Sequence, residues 1–174
     1  IDILRKEGAA SAVKKSTRET NEGIVGAKEN NKAIAIIEVN AETDFVTKND
    51  KFLSFVSDIV ESALAQSPAS LEKFLAQKGK NGQTHEEQRV ELVQSIGENI
   101  QIKRMQVWEK QPNASYGLYI HLGGKIVTLV EISGSASMSS VARDVAMHIA
   151  AEAPEYLKPS DIPEQVLERE KDIA

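Results

Sequence analysis

The sequence predicts an α+β protein of two related lobes, each an antiparallel sheet backed by helices, with a short N-terminal helix. Three observations carry that expectation. The apolar runs Ile34-Ala-Ile-Ile-Glu-Val39 and Val127-Thr-Leu-Val-Glu-Ile132 both end in a glutamate followed by an aliphatic residue. Each run is the second arm of a hairpin and is followed by a loop and then by apolar residues at helical spacing, which makes the two halves an internal repeat. One strand pattern, 99–107, has no counterpart in the second half, whose last strand is therefore expected outside this chain.

The elements follow in order. Residues 1–15 read as a helix with Ile1, Leu4, Ala9, Ala12 and Val13 on one loose stripe. Gly23–Ala27 is a short strand, Glu29-Asn-Asn-Lys32 supplies turn residues, and Ala33–Val39 is β-branched enough for a buried strand. From Lys51 onward, Phe52, Phe55, Val56, Ile59, Val60, Ala63 and Leu64 recur at steps of three and four, the signature of an amphipathic helix. Ser67-Pro68 stops it, Leu71–Ala76 is a second short helix, and the glycine-containing polar stretch Lys78–Gln83 is a loop. Thr84 and Glu87 have capping-box spacing for a helix that runs to about Ser95, with Gly97 placed to turn the chain into the strand at 99–107.

The second half begins with a hairpin of Ser115–Leu122 and Lys125–Ile132, in which Gly123-Gly124 suits a tight two-residue turn. A serine-rich loop follows, then a helix expected to bury Val141, Val145, His148 and Ile149 on one face. The segment Ile162–Ile173 is a further helix with Pro163 near its start. The chain opens on Ile1 inside a helical pattern and closes inside another, so both ends are expected to continue.

Composition narrows the chemistry. Of 174 residues 41% are hydrophobic, enough for a core, and none is cysteine, which removes disulfides, thiolate metal sites and cysteine nucleophiles. A formal charge of −5 opposes direct nucleic-acid binding, which needs a basic surface. The basic residues Arg5, Lys6, Lys14, Lys15 and Arg18 read as a solvated helix face. No apolar stretch approaches the roughly 18 residues of a membrane span, so no membrane contact is expected. His85, His121 and His148 fall on three different elements without metal-ligand spacing. His85 is expected to be solvated and His148 to sit at the edge of a core. No phosphate-cradling glycine loop or serine elbow is present, so no catalytic residue, metal site or cofactor is expected, and a hydrolase lacks a nucleophile.

The segment Glu38-Val-Asn-Ala-Glu-Thr-Asp-Phe-Val46 stands apart, because it sets a carboxylate beside a phenyl ring just where a buried strand ends. Two readings stay open. Either Phe45 projects from a surface loop to insert into a partner, or the loop merely caps the next helix and folds Phe45 back onto the core. The matching loop of the second half carries Gly134-Ser-Ala-Ser and no such pair.

The stretch Glu38-Val-Asn-Ala-Glu-Thr-Asp-Phe-Val-Thr-Lys-Asn49 is closely similar to a signature of the translation elongation factor Ts family. The chain resembles that family in four further segments: Leu4–Ala10 with Lys14-Lys15, Ile96–Arg104, Ser115 to Gly123, and Asp144–Ala151. Ala41 stands where the family more often has Cys or Ser, and Thr47 where Ala or Ser is frequent. On this resemblance 1–20 is the remnant of an N-terminal helical domain, 21–112 a core N-subdomain, 113–160 an incomplete core C-subdomain, and 161–174 the start of a C-terminal helix.

The resemblance implies guanine-nucleotide exchange on elongation factor Tu, in its GDP-bound and nucleotide-free forms, in a bacterial cytoplasm or an organelle matrix. It assigns Thr43, Asp44, Phe45 and Val46 to displacement of the partner's Mg²⁺, Ile96 and Gly97 to a second contact, and His121 to a third. It also leaves open a homodimer within a heterotetramer. The competing expectation is an interaction module that binds the GTPase without promoting exchange.

Overall fold

The structure, a computed structural model, describes residues 10–173. Helix α1 covers 10–15 of these, and the stripe positions Ile1, Leu4 and Ala9 lie outside the described residues. Ala12 is buried as expected, whereas Val13 turns outward and is exposed.

Strands β1 (Glu22–Glu29), β2 (Ala33–Ala41) and β3 (Ile100–Glu109) form an antiparallel sheet with β2 in the centre. The β1–β2 turn is closed by the Asn30 side chain, whose Oδ1 accepts from the amides of Lys32 (2.7 Å) and Ala33 (2.8 Å). Because successive strand residues face opposite ways, Ala35, Ile37, Val39 and Ala41 share one face and are all fully buried. Pairing slips by one residue between Glu38 and Val39, so that Glu38 faces Arg104 while Val39 faces Ile102. This bulge keeps Ile100, Ile102, Met105 and Val107 on the same side despite their change of parity.

Onto that side lies α3 (Asp50–Gln66), which presents Phe52, Phe55, Val56, Ile59, Val60 and Ala63, as the helical period predicts. Each of these side chains larger than alanine contributes about 1.5–3 kcal/mol on leaving water, so this layer is the main source of stability. Asn49 caps the helix through the Lys51 amide, and Ser67, in a left-handed conformation (φ 43°), ends it. Helices α4 (Leu71–Ala76) and α5 (His85–Ile96) complete the layer, with the capping box at Thr84 and Glu87 present. The loop between them is closed by hydrogen bonds from the Gly79 amide to the Gln83 carbonyl and from the Gly82 amide to the Gly79 carbonyl.

His85 departs from expectation. It is 1% exposed, stacks on Phe74 at 4.1 Å between ring centroids, and its Nε2 lies 2.9 Å from the Ser62 hydroxyl. The cause is the short α4, which swings Phe74 beneath the first turn of α5. Burial pushes the imidazole pKa below its ordinary value.

Strands β4 (Ala114–His121) and β5 (Ile126–Ser133) form a separate antiparallel hairpin, and α6 (Ser139–Glu152) packs across it. Two expectations fail here. The turn is not a two-residue Gly-Gly link: Leu122 to Lys125 all lie between the paired ends His121 and Ile126, with Leu122, Gly123 and Gly124 in succession at positive φ. The helix also buries Ala142, Ala146 and Ala150, and leaves Val141, Val145, His148 and Ile149 outward. Spacing explains the choice of face. A Cβ added at Gly117 would lie 2.2–2.3 Å from backbone atoms of Ala142 and Arg143, so the helix rides too close to the hairpin for valine or isoleucine to enter. Thr128 donates to the Ala146 carbonyl (2.7 Å), and Ser115 bridges to the Ser135 carbonyl and the Met138 amide (both 2.8 Å).

Helix α7 (Glu164–Ile173) follows Pro163 as expected. Among the described residues no helix is long and apolar enough to cross a membrane.

Two outcomes follow from this packing. Gly117→Ala forces α6 off the hairpin and lowers the unfolding free energy by about 1–3 kcal/mol, read as a shifted urea midpoint. Below pH about 6.5 the unfolded chain takes up a proton that folded His85 resists, so stability declines as pH falls and levels off once the folded imidazole also protonates. His85→Phe removes that part of the acid-side slope in urea titrations across pH.

Candidate functional site

The site begins where β2 ends. Ala41 is fully buried, and after Glu42 and Thr43 the chain turns into α2 (Asp44–Thr47), a single helical turn where an irregular loop was expected. Two of its four side chains, Val46 and Thr47, point inward at 5% and 4% exposure. One helical step away, Phe45 projects outward and is 81% exposed. The reading in which Phe45 folds onto the core is therefore wrong.

The turn is fastened from within. The Thr47 hydroxyl donates to the Asp44 carbonyl (2.8 Å), and Lys48 Nζ donates to Asp44 Oδ2 (2.8 Å). The Lys48 hydrogen bond and then its charge hold the Asp44 carboxyl below its ordinary range, and the same pairing raises the Lys48 ammonium.

A second turn lies against the first. Helix α5 ends at Gly97, whose φ of 91° a side chain would strain, while Ile96 before it is half-buried. Glu98 then reaches across, and its carboxylate accepts from the Thr43 amide (3.0 Å) and the Thr43 hydroxyl (2.8 Å). Glu42 answers in the opposite direction by accepting from the Asn99 amide (2.6 Å), with Arg18 on the same oxygen at 3.4 Å. Lys51 donates to Ser95 (2.9 Å) beside them. Thr43–Val46 and Ile96–Gly97 are thus brought together.

His121 closes β4, with its Nδ1 3.0 Å from the Tyr119 hydroxyl and the two rings stacked at 5.8 Å. The turn that follows it seats on β1, because Gly124 lies so close that an added Cβ would be 2.6 Å from the Val25 carbonyl oxygen. Lys125 pairs with Glu22 at 2.6 Å, and its charge also helps to lower the Asp44 carboxyl. His121 therefore sits at the same end of the molecule as the Asp44 turn, though on a separate hairpin.

Lys48, Glu98 and Leu122 also belong to this end of the molecule and were not singled out from the sequence. Leu122 is 71% exposed at the hairpin tip, next to His121. The Thr43–Glu98 contact spans 55 positions, and no local pattern reports such a pairing. Among the described residues no cluster of three histidine, aspartate or glutamate side chains could hold a metal ion.

Fold and site together define a two-sheet α+β protein that exposes an acid–aromatic pair on a short, well-anchored turn. A family model described as elongation factor TS matches residues 42–174, and the chain belongs to that family. It is 54% identical over 176 aligned residues to elongation factor Ts of Protochlamydia amoebophila (strain UWE25), covering all of this chain and 62% of that protein. It is 43% identical to elongation factor Ts of Lacticaseibacillus casei (strain BL23) and to that of Lacticaseibacillus paracasei (strain ATCC 334), covering 99% of this chain and 58% of each. The chain thus spans about three-fifths of the length of these relatives.

The exposure of Phe45 sets an outcome for stability. Phe45→Ala changes the unfolding free energy by no more than about 0.5 kcal/mol, whereas Val46→Ala, one residue on and buried, costs about 1–3 kcal/mol in thermal or urea unfolding.

Proposed function

We propose that this chain acts in polypeptide elongation as a guanine-nucleotide exchange factor for elongation factor Tu. The observation that carries this reading is a phenyl ring held 81% exposed on a turn that is anchored by the buried side chains of Val46 and Thr47. An apolar ring of that size in water is a poor choice for a free surface and a good one for insertion, which returns about 1.5–3 kcal/mol on burial.

In this mechanism Thr43–Val46 form the working turn, with Ile96–Gly97 and His121 as supporting contacts. A GTPase holds GDP through phosphate-loop amides and a Mg²⁺ ion, and both depend on register. Phe45 wedges between elements of the partner and shifts them. Asp44, ionised at neutral pH like any exposed carboxylate and favoured further in that form by Lys48, brings a negative charge to a network organised around a cation. The Asp44–Lys48 pair is a surface ion pair, so it opens cheaply when a better partner arrives.

No bond is made or broken in such a step. The factor binds the nucleotide-free GTPase more tightly than the GDP-bound form, and by linkage it weakens nucleotide affinity by the same ratio. The chain itself then needs neither catalytic side chains nor a cofactor. The sequence similarity to elongation factor Ts proteins supports this choice of partner.

Stopped-flow release of a fluorescent GDP analogue from elongation factor Tu tests the proposal. Added chain accelerates release, and Phe45→Ala lowers the stimulated rate at least tenfold, about 1.4 kcal/mol in barrier. Capture of the GTPase with an unchanged GDP off-rate replaces exchange with a binding role. The absence of both capture and acceleration overturns the proposal for this chain.

A further inference from the structure

We infer that Glu98 is a positioning residue, resting on the exchange reading above: it acts on the GTPase through the turn that carries Asp44 and Phe45, in concert with Glu42 acting in reverse. Three observations lead there. First, α2 has only four residues, too few to sustain helical structure alone, and Thr43 at its N-cap makes no side-chain hydrogen bond to it. The Thr43 amide and hydroxyl both donate to Glu98 instead.

Second, the two glutamates continue the β2–β3 ladder where the backbones part. Ala41 and Ile100 are the last paired residues. Just beyond them, Glu98 takes the Thr43 amide and Glu42 takes the Asn99 amide, so each strand end lends a carboxylate to the other. Charge-assisted bonds of this kind are shorter and stronger than neutral ones, and both carboxylates are half-buried.

Third, Glu98 stands just past the C-terminus of α5, where the helix dipole favours a cation. An acidic residue is locally unfavourable there, and its bonds to Thr43 are what offset that cost. The consequence is that the Phe45 turn and the Gly97 turn move as one body, which fixes the direction in which Phe45 points.

The test uses chain containing 4-fluorophenylalanine, its position-45 ¹⁹F signal assigned by loss in Phe45→Leu, together with the GDP-release assay. In the free chain Glu98→Ala shifts or broadens the position-45 signal, and Glu98→Gln, which keeps one acceptor oxygen, restores part of it. In the release assay Glu98→Ala lowers the saturating stimulated rate about tenfold, yet changes it less than about twofold when Phe45→Ala is already present. An unchanged position-45 signal in Glu98→Ala overturns the inference. So do losses that multiply in the double variant, because Glu98 then acts independently of Phe45. A wild-type chain that fails to accelerate release defeats the exchange reading, while the fluorine measurement still decides whether Glu98 fixes the turn.

Discussion

The first lobe, and with it the candidate site, depends on the burial of α3 against the central strand β2. Ala35, Ile37, Val39 and Ala41 are fully buried beneath Phe52, Ile59, Val60 and Ala63, and that contact fixes where β2 must stop. Once Ala41 is buried as the last strand residue, the next few residues have to turn toward the N-terminus of α3 within a very short span. The single turn of α2 is the outcome. Val46 and Thr47 face the core because the chain must stay attached, and the helical step then leaves Phe45 no inward direction. The exposed ring is a geometric result of a well-packed interior, and no local strain is required to produce it.

The two lobes solve their packing differently. In the first, large side chains of α3 fill the space over the sheet, with Val56 and Val60 seated against Gly26. In the second, alanines and Gly117 let α6 approach the β4–β5 hairpin closely, and hydrogen bonds from Thr128 and Ser115 supply fixation where apolar volume is small. What joins the lobes near the site is polar and compact: Lys125 on Glu22, with the β4–β5 turn resting on Val25. The three regions with proposed partner contacts therefore meet through short ties at one end of the molecule.

Local patterns made most of the architecture legible. The seven-residue stripe of α3, the capping box at Thr84 and Glu87, and the burial of β2 all follow from periodicity and side-chain chemistry. The errors share a cause. Periodicity identified an apolar face on α6 correctly, but the closeness of Gly117 selected the alanine face beside it, and closeness is a property of two segments. His85 read as solvated because the ring that covers it, Phe74, belongs to a neighbouring helix. At the candidate site, Asp44 and Phe45 were visible as an oddity in the chain. Glu98, and the bond from Asn99 to Glu42, were not, since their meaning lies in pairing across two strand ends.

The bulge at Glu38 and Val39 has a consequence for how the protein tolerates change. Beyond it toward the site, only Val39, Asn40 and Ala41 pair with Ile102, Gln101 and Ile100 before the glutamates take over. Toward the opposite end, the ladder runs on to the Asn30 turn and the start of β4. The bulge therefore sets the residue count of β3: with one residue fewer there, either Ile100 and Ile102 or Met105 and Val107 would turn to the opposite face of the sheet, and the stretch that leads to the Phe45 turn would lose its alignment with the core.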